Sequence, residues 1–524
     1  MPATAKTDSH AHPHINPWIV AIAVMLGTFM EVLDTTVVNV SLPHIAGSLS
    51  ATIDEATWVI TSYLVANAMI LPITGWLANY FGRKRLLMMS VTGFTVASFF
   101  CGLAPTLPML IFFRIIQGAA GGALQPLSQA VLLESFPPDQ RGKAMGFWGQ
   151  GIVVAPIIGP VLGGFLTDTY SWRWVFYINI PVGVASIIMT TLFIFDPPYI
   201  KRTANRIDYW GMGMLAVGIG ALQVMLDKGQ EQDWFASHWI AALTVVSGVF
   251  LAAFIYREFR TEHPVVNLRV FRDRTYSTGV FLMTVLGFVL YGSMVLLPIW
   301  LQTLLGYPAV QAGIALAPRG LGSFIGMTLI GRLMSKFDPR KFLAFGLIIG
   351  AGTLYRLSMM NLDAGYWDFF WPQFIQGVSL AMLFVPLTTI TMSNIPREGM
   401  GNATSMFNLL RNLGGGVGIA GVSTLVTRFS QKQINLLGGH VTAYDPKARG
   451  LMAHLAAGMK AHGANGAVAT RQTYAVMFGM IERQATILSY IDVFQLLALM
   501  FLVMTPLVLL MKKPSHGTKP VAGH

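Results

Sequence analysis

Phe113-Arg114-Ile115-Ile116-Gln117-Gly118 lies in an apolar stretch of the first half of the chain, and Gln373-Phe374-Ile375-Gln376-Gly377 lies in an equally apolar stretch of the second. The loops that follow match as well. Phe136-Pro137 with Gly142 and Ala144 is answered, at the same offset, by Ile395-Pro396 with Gly401 and Ala403. A looser echo pairs Gly75 and Arg83-Lys84 with Gly331 and Arg340-Lys341. The chain contains itself twice, and duplicated apolar halves predict a transporter whose site lies between them.

Composition sets the environment. Of the 524 residues, 54% are hydrophobic and only 11% are charged, which excludes an ordinary soluble domain. Apolar stretches of about 20 residues, the length that spans a bilayer as helix, recur near residues 17–41, 56–78, 85–104, 108–134, 143–167, 173–195, 209–226, 238–256, 276–304, 309–335, 342–360, 369–393, 401–428 and 490–511. Strand alternation is absent, so the expectation is an all-α polytopic membrane protein with fourteen transmembrane helices rather than a barrel. The pair of spans within 206–260 has no counterpart in either repeat. This divides the chain into a tail (1–16), a six-helix half (17–205), an inserted two-helix hairpin (206–260) and a second six-helix half (261–524). An even insertion preserves the orientation of the second half. The hairpin either widens the scaffold or serves a purpose of its own.

Lysine and arginine placement gives the orientation. With the N-terminus in the cytoplasm, Arg83-Lys84-Arg85, Arg141 and Lys143, Lys201-Arg202 with Arg206, Arg257 to Arg274, Lys336 to Lys341 and Lys512-Lys513 all face inward. The short loops opposite are neutral or acidic. The net charge of +12 is therefore topological and needs no nucleic acid. The first apolar run is too long for a cleavable signal and reads as the first span. Cys101, the only cysteine, permits no intrachain disulfide and reads as core packing. His10, His12 and His14 can hold a metal or stay solvated. Segment 429–489 is expected outside the membrane on the periplasmic side. Apolar residues at helical spacing predict one or two amphipathic helices there, as a membrane-surface element, a partner dock or a cap.

Charges inside spans mark function. A carboxylate or guanidinium at mid-bilayer costs roughly 2.5–3.5 kcal/mol on insertion scales, so it persists where it faces a cavity or a partner. Glu31 and Asp34, three residues apart, share one helix face. Two carboxylates so close repel when both are ionised, so one can hold a proton, and the pair reads as a proton-coupling device. Arg114 can pair with Asp34 and compete with the proton; a buried structural anchor is the other reading. Arg319 and Arg411 are the remaining buried arginines, structural or substrate-facing. Tyr63, Tyr291, Trp300, Gln373, Phe407, Asn408 and Arg411 are candidates for a substrate cavity, as aromatic or polar groups within spans. Gly159, Pro160, Gly163 and Gly164 allow close helix approach and a bend. The loop from Gly75 through Asn79 and Gly82 to Arg83 is a gate latch or a plain topology signal. No metal-spaced histidine pair, nucleophile with a neighbouring base, or Gly-x-x-x-x-Gly-Lys loop argues for an enzyme or an ATP-driven pump.

These motifs resemble the major facilitator superfamily. The loop Gly75 to Arg85 is similar to its signature loop, Arg114 with Gln117-Gly118 to its fourth-span motif, and Gly159-Pro160 with Gly163-Gly164 to its antiporter motif. Leu33-Asp34-Thr35-Thr36-Val37-Val38-Asn39-Val40 with Pro43 resembles the first-span motif of the fourteen-span drug:proton antiporters, in particular their EmrB-like branch. The resemblance implies proton-coupled export of lipophilic compounds by alternating access, with Asp34 as proton acceptor and Arg114 as its modulator. It also implies no cofactor beyond the proton gradient, the inner membrane of a Gram-negative cell, a periplasmic adaptor (EmrA-like) and an outer-membrane channel (TolC-like). A facilitator, or an exporter of one metabolite, lipid or fatty acid, is the alternative in the same fold. Where the family's loop often has aspartate this chain has Asn79, which can donate a hydrogen bond but cannot form an ion pair. Aligned through Leu26-Gly27 and Leu286-Gly287, Asp34 falls opposite Met294 and Glu31 opposite Tyr291, so coupling is expected in the first half and much of the substrate contact in the second.

Overall fold

The computed structural model describes residues 16–196, 208–261, 264–442, 444–461, 463 and 465–511. The histidine tract, Lys201-Arg202, Arg206 and Lys512-Lys513 lie outside them. Long helices run in sequence: α1 (Pro17–Ser48), α2 (Ile53–Phe81), α3 (Arg83–Leu103), α4 (Leu107–Ser135), α5 (Arg141–Thr169), α6 (Trp174–Phe193), α7 (Tyr209–Lys228), α8 (His238–Arg260), α9 (Arg274–Thr303), α10 (Ala309–Leu333), α11 (Pro339–Ser358), α12 (Tyr366–Thr391), α13 (Met400–His440), α14 (Pro446–Ala461) and α15 (Gly466–Met504). Among the described residues there is no strand. Among the described residues, thirteen helices are long and apolar enough to cross a membrane. The stretch expected at 342–360 forms α11, 20 residues long, whose ends carry Arg340, Lys341 and Arg356. That is about 30 Å of helix at 1.5 Å per residue, also a bilayer's worth.

Local chemistry sets the boundaries. Pro17 opens α1 while the Asn16 side chain accepts from the Trp18 N–H at 3.0 Å. Thr52 and Glu55 form a capping box at the start of α2, and Asp273, Asp338 and Asn465 cap α9, α11 and α15. These caps satisfy end N–H groups that have no intrahelical acceptor. Along the spans the pattern is that of a lipid-facing bundle, with Phe112 (58%) and Val245 (65%) among many exposed apolar side chains and the polar groups turned inward.

The two halves meet along a seam. Glycines on α5 press against α10: a Cβ on Gly142 would come 3.1 Å from the Met334 Cβ, and one on Gly146 would come 2.7 Å from the Met327 carbonyl oxygen. Gln150 donates to Thr328 Oγ1 at 2.5 Å and to the Phe324 carbonyl at 3.1 Å. On the other side of the bundle α4 meets α13. Thr404 donates to the Pro126 carbonyl (3.1 Å), Asn408 Nδ2 to Gln129 Oε1 (2.6 Å), and Arg411 Nη2 to Gln125 Oε1. All these hydrogen bonds lie in the part of the bundle nearer the basic loops. That end is sealed.

Segment 429–489 differs from expectation. The amphipathic α14 is there, but most of the segment is a continuation of the flanking spans, since α13 runs unbroken for 41 residues and α15 for 39.

Candidate functional site

Asp34 is fully buried on α1 and has partners on α4 and α6. Its Oδ2 accepts from Arg114 Nη1 at 2.5 Å, and its Oδ1 accepts from Gln117 Nε2 at 3.0 Å and from Asn179 Nδ2 at 2.7 Å. Arg114, also fully buried, donates Nε to the Val59 carbonyl (3.0 Å) and Nη1 to Gln117 Oε1 (2.8 Å), and its guanidinium stacks 4.1 Å from the centre of the Tyr63 ring. Asn179 Nδ2 also reaches Ser98 Oγ at 3.0 Å, and Ser98 donates to the Phe176 carbonyl. A charge taken out of water survives where a countercharge and hydrogen bonds replace hydration. Both ions of this pair meet that condition.

The spacing of the fourth-span motif explains how Arg114 gets there. Arg114 and Gln117 are one turn apart on one face, and Gly118 follows on the face against α2. A Cβ at Gly118 would run into the Tyr63 carbonyl, and one at Gly122 would come 2.6 Å from the Asn67 carbonyl. The absent side chains let α4 press on α2, bringing the guanidinium within reach of the Val59 carbonyl and the Tyr63 face.

Glu31 lies one turn before Asp34 and is bound differently. Its Oε1 accepts from Asn67 Nδ2 at 2.9 Å, while the buried Oε2 has no well-formed hydrogen bond among the described residues, its neighbour being the Gln125 side chain of α4. The nearest cationic influence is Arg411, from the opposite half. The two carboxylates of α1 thus differ: Asp34 is coordinated on both oxygens, and Glu31 is held on one, with the other turned to Gln125 at the seam.

The antiporter motif packs on the same helix. Gly159 of α5 faces Thr36, and a Cβ on Gly163 would come 2.8 Å from the Val37 carbonyl oxygen, whereas Gly164 has open space and Pro160 is exposed. At the basic end, Gly75 lies against the start of α13, where a Cβ would come 2.7 Å from the Asn402 backbone. Gly82 adopts φ +87°, a left-handed turn that glycine permits. Asp196 receives the Lys84 N–H at 2.8 Å there. Arg83 forms a buried ion pair with Glu134 and donates to the Arg397 carbonyl. Asn79 is exposed, and none of the described hydrogen bonds involves it. The loop's grip on the second half therefore comes from Gly75 and Arg83.

The residues expected to line a substrate cavity are dispersed. Tyr63 belongs to the Arg114 cluster, and its hydroxyl has no partner among the described residues. Asn408 and Arg411 form part of the seam. Tyr291 is half-buried and packs over Gly415. Trp300 packs edge-on against Phe369 at 5.3 Å, inside the second half, and Phe407 is fully buried in the core. Gln373 donates to Gln376 Oε1 at 3.4 Å. Asn67, Ser98, Gln125, Gln129 and Asn179 went unread in the sequence. The signal available was a polar group inside an apolar run, with Gln125 and Gln129 one turn apart.

Relatives with known names share this chain's length. It is 40% identical over 498 residues to the multidrug export protein EmrB of Escherichia coli (strain K12), covering 95% of each chain. It is 40% identical over 502 residues to the fatty acid resistance protein FarB of Neisseria gonorrhoeae, covering 95% of this chain and 96% of that one. The fold matches the crystal structure of the human organic anion transporter MFSD10 (TETRAN) with a TM-score of 0.59 at 12% identity, over 93% of this chain and all of the other. The Major Facilitator Superfamily model matches residues 24–419. The chain is a multi-pass membrane protein that belongs to the major facilitator superfamily, a family of transporters and not of enzymes, within its EmrB-like branch.

Proposed function

We propose that this protein is a proton-coupled multidrug efflux antiporter that exports lipophilic or amphipathic compounds. The observation that carries the reading is the pair of buried carboxylates on α1, one clamped by Arg114 and one held firmly on a single oxygen beside the seam. Protonation of Asp34 would remove half of the ion pair and loosen α1 from α4 and α6. Because α1 also packs on α5 through Gly159 and Gly163, that change reaches a helix of the seam with α10. Glu31 sits close enough to Arg411 for its charge to be felt across the halves.

With the basic loops in the cytoplasm and both termini there, the seam closes the cytoplasmic side. Inward opening would require the Gln150–Thr328, Asn408–Gln129 and Arg411–Gln125 bonds to break. Each proton moving down 100 mV releases about 2.3 kcal/mol. At about 1.4 kcal/mol per decade that sustains roughly a fortyfold gradient. By likeness to EmrB, the chain would be the inner-membrane part of a tripartite system, with an EmrA-like adaptor and a TolC-like channel as partners. The projecting ends of α13 and α15 with α14 are the surface for that contact. The similarity to FarB favours a second reading, export of a fatty acid in the same fold.

The test is transport driven by a pH gradient in proteoliposomes, comparing several drugs and a fatty acid. Asp34→Asn is expected to abolish uphill export while leaving downhill exchange. Unchanged uphill export by that variant would overturn proton coupling through this site.

A further inference from the structure

Glu31 on α1 and Arg411 on α13 are a buried acid and a buried base from opposite halves, each 4% exposed. Among the described residues neither stands within ion-pair distance of an opposite charge. Gln125 of α4 lies between them. Its Oε1 accepts from Arg411 Nη2, and the same guanidinium reaches Asn412 Oδ1 at 3.2 and 3.3 Å. The Gln125 side chain is also the neighbour of Glu31 Oε2. A guanidinium carries only donors and an ionised carboxylate only acceptors, so one orientation of the amide serves both: oxygen toward Arg411, nitrogen toward Glu31. Acid, amide and base form a row across the seam.

The sequence explains why Gln125 stands there. Regular helix lapses in α4 at Gly122 and Ala123 and resumes at Leu124, because Pro126 has no N–H to offer the Gly122 carbonyl. Gln125 and Gln129 follow one turn apart, and both meet α13, Gln129 through Asn408 and Gln125 through Arg411. The Asn408–Gln129 and Thr404–Pro126 bonds join neutral groups. Of the α4–α13 bonds, only the Gln125 link has a charged group at each end, so only it responds directly when the acid gains a proton.

We propose that Gln125 is a positioning residue for proton coupling, which carries the charge state of Glu31 to Arg411 and so to the second half. With Glu31 ionised, the amide is held from both sides and the seam stays closed. Glu31 Oε1 already accepts from Asn67, so an incoming proton settles on Oε2, the oxygen facing Gln125. The new O–H then meets the amide nitrogen, donor against donor. The amide either loses that contact or flips to accept the O–H, and once flipped it turns its NH₂ toward the guanidinium. Either way the bond to Arg411 weakens and the cytoplasmic side is freed to open. That is the order an antiporter needs, with the proton taken from the outer side and given up inside. The other charged or titratable groups around Glu31 are Asp34 on its own helix and Tyr63 on α2, while Arg114 is committed to Asp34. The inference rests on the proton-coupled reading above and names the residue through which that site reaches the second half.

The test uses the full-length protein in nanodiscs with no gradient. Cys101→Ala removes the native thiol, and a donor–acceptor dye pair on Asp139→Cys and Glu398→Cys, exposed positions at the basic ends of the two halves, reads opening against pH. With Gln125 and Glu31 intact, the ratio of open to closed protein is expected to rise about tenfold or more as pH falls, the worth of one charge-assisted hydrogen bond. Gln125→Met keeps the length of the side chain and removes both polar ends, so the ratio should change by less than about twofold across the same range. Adding Glu31→Gln to it should change nothing further. Arg411→Met breaks the same link from the other side and should flatten the step equally, whether or not the Gln125→Met protein folds. A full pH step in either methionine variant would overturn the proposal and make Gln125 a packing residue, as would effects of Gln125→Met and Glu31→Gln that simply add. Absence of any step in the starting protein would sink the proton-coupled reading itself. A step abolished by Asp34→Asn but kept by Gln125→Met would sink this inference alone.

Discussion

Removing the charge of Asp34 alone should destabilise the protein at least as much as removing both members of its ion pair. Asp34→Asn keeps the side-chain volume and one acceptor oxygen but leaves the fully buried Arg114 without a countercharge, and breaking one partner of a buried pair costs about 3–5 kcal/mol. Arg114 retains the Val59 carbonyl, Gln117 Oε1 and the Tyr63 ring. The aromatic face contributes about 0.5–2 kcal/mol. The expected cost is therefore near the lower limit, about 3 kcal/mol. Arg114→Gln leaves Asp34 with only the neutral donors Gln117 and Asn179, for a similar loss. In the double variant both desolvation penalties vanish with the charges, so its cost should be about that of either single change or less, giving a coupling energy of about 3 kcal/mol. The protein carries its own probe: Cys101 is its only thiol and is fully buried beside Gln117, so a thiol-reactive fluorophore lights up on unfolding. Additive losses in the double variant, or an Asp34→Asn protein as stable as wild type, would refute the reasoning.

Two further outcomes follow from local geometry. Gly163→Ala puts a Cβ 2.8 Å from the Val37 carbonyl, backbone that cannot swing away, whereas Gly164→Ala meets nothing within 4 Å. The first is expected to lower stability by about 1–3 kcal/mol and slow transport, the second to do neither, as read by thermal unfolding and proteoliposome flux. At the base of the inserted hairpin, burial works to raise the Asp208 carboxyl, but hydrogen bonds from Arg257 and the Gly211 N–H outweigh it and hold it below its ordinary value of 3.8. A depressed folded-state pKa contributes stability above the unfolded value that is lost as pH falls through the folded one. Asp208→Asn should thus cost less than about 1 kcal/mol at neutral pH. Unfolding midpoints measured against pH should show the gap to wild type closing below that value.

Much of the first-half site was legible because intramembrane charge is rare and helical spacing is regular. Asp34, Glu31 and Arg114 stand out from apolar runs, and Asp34 with Arg114 form the buried pair that the sequence left open as one reading. Asn179 was not legible, because it reaches Asp34 only through the packing of α6 on α1. The Val59 carbonyl carries no sequence signal at all. Aromatic identity was a poor guide to exposure: Trp300 and Phe407 look like ligand contacts in one dimension, but tertiary packing places both in the core. Segment 429–489 was read as separate from its flanking spans because its composition turns polar at residue 428. The backbone ignores that change, since polar residues continue a helix as readily as apolar ones once water can solvate its sides.

The inserted hairpin is the element whose role changes most between sequence and structure. It could have been a passive addition at the bundle edge. Instead it touches both halves at the end away from the basic loops. Thr61 of α2 donates to Asp227, and Lys228 donates to Thr57 and lies 5.9 Å from the Trp58 ring. On the other side, Gln230 Oε1 accepts from Thr424 of α13 at 2.7 Å, and Trp234 Nε1 donates to Thr424 at 3.0 Å. At the basic end the chain leaving the hairpin is tied down too, since Glu258 accepts the Val265 and Val266 N–H groups and Asn267 exchanges two hydrogen bonds with Asn402. Only the contacts at the end away from the basic loops bridge α2 and α13, so a motion that parts these two helices there would break the hairpin's bonds to one of them, unless α7 and α8 tilt with it. On the proposed alternating-access cycle, the hairpin would act as a strap between α2 and α13, and losing its bonds to one of them, for example by Thr424→Ala, should shift the balance between the two faces.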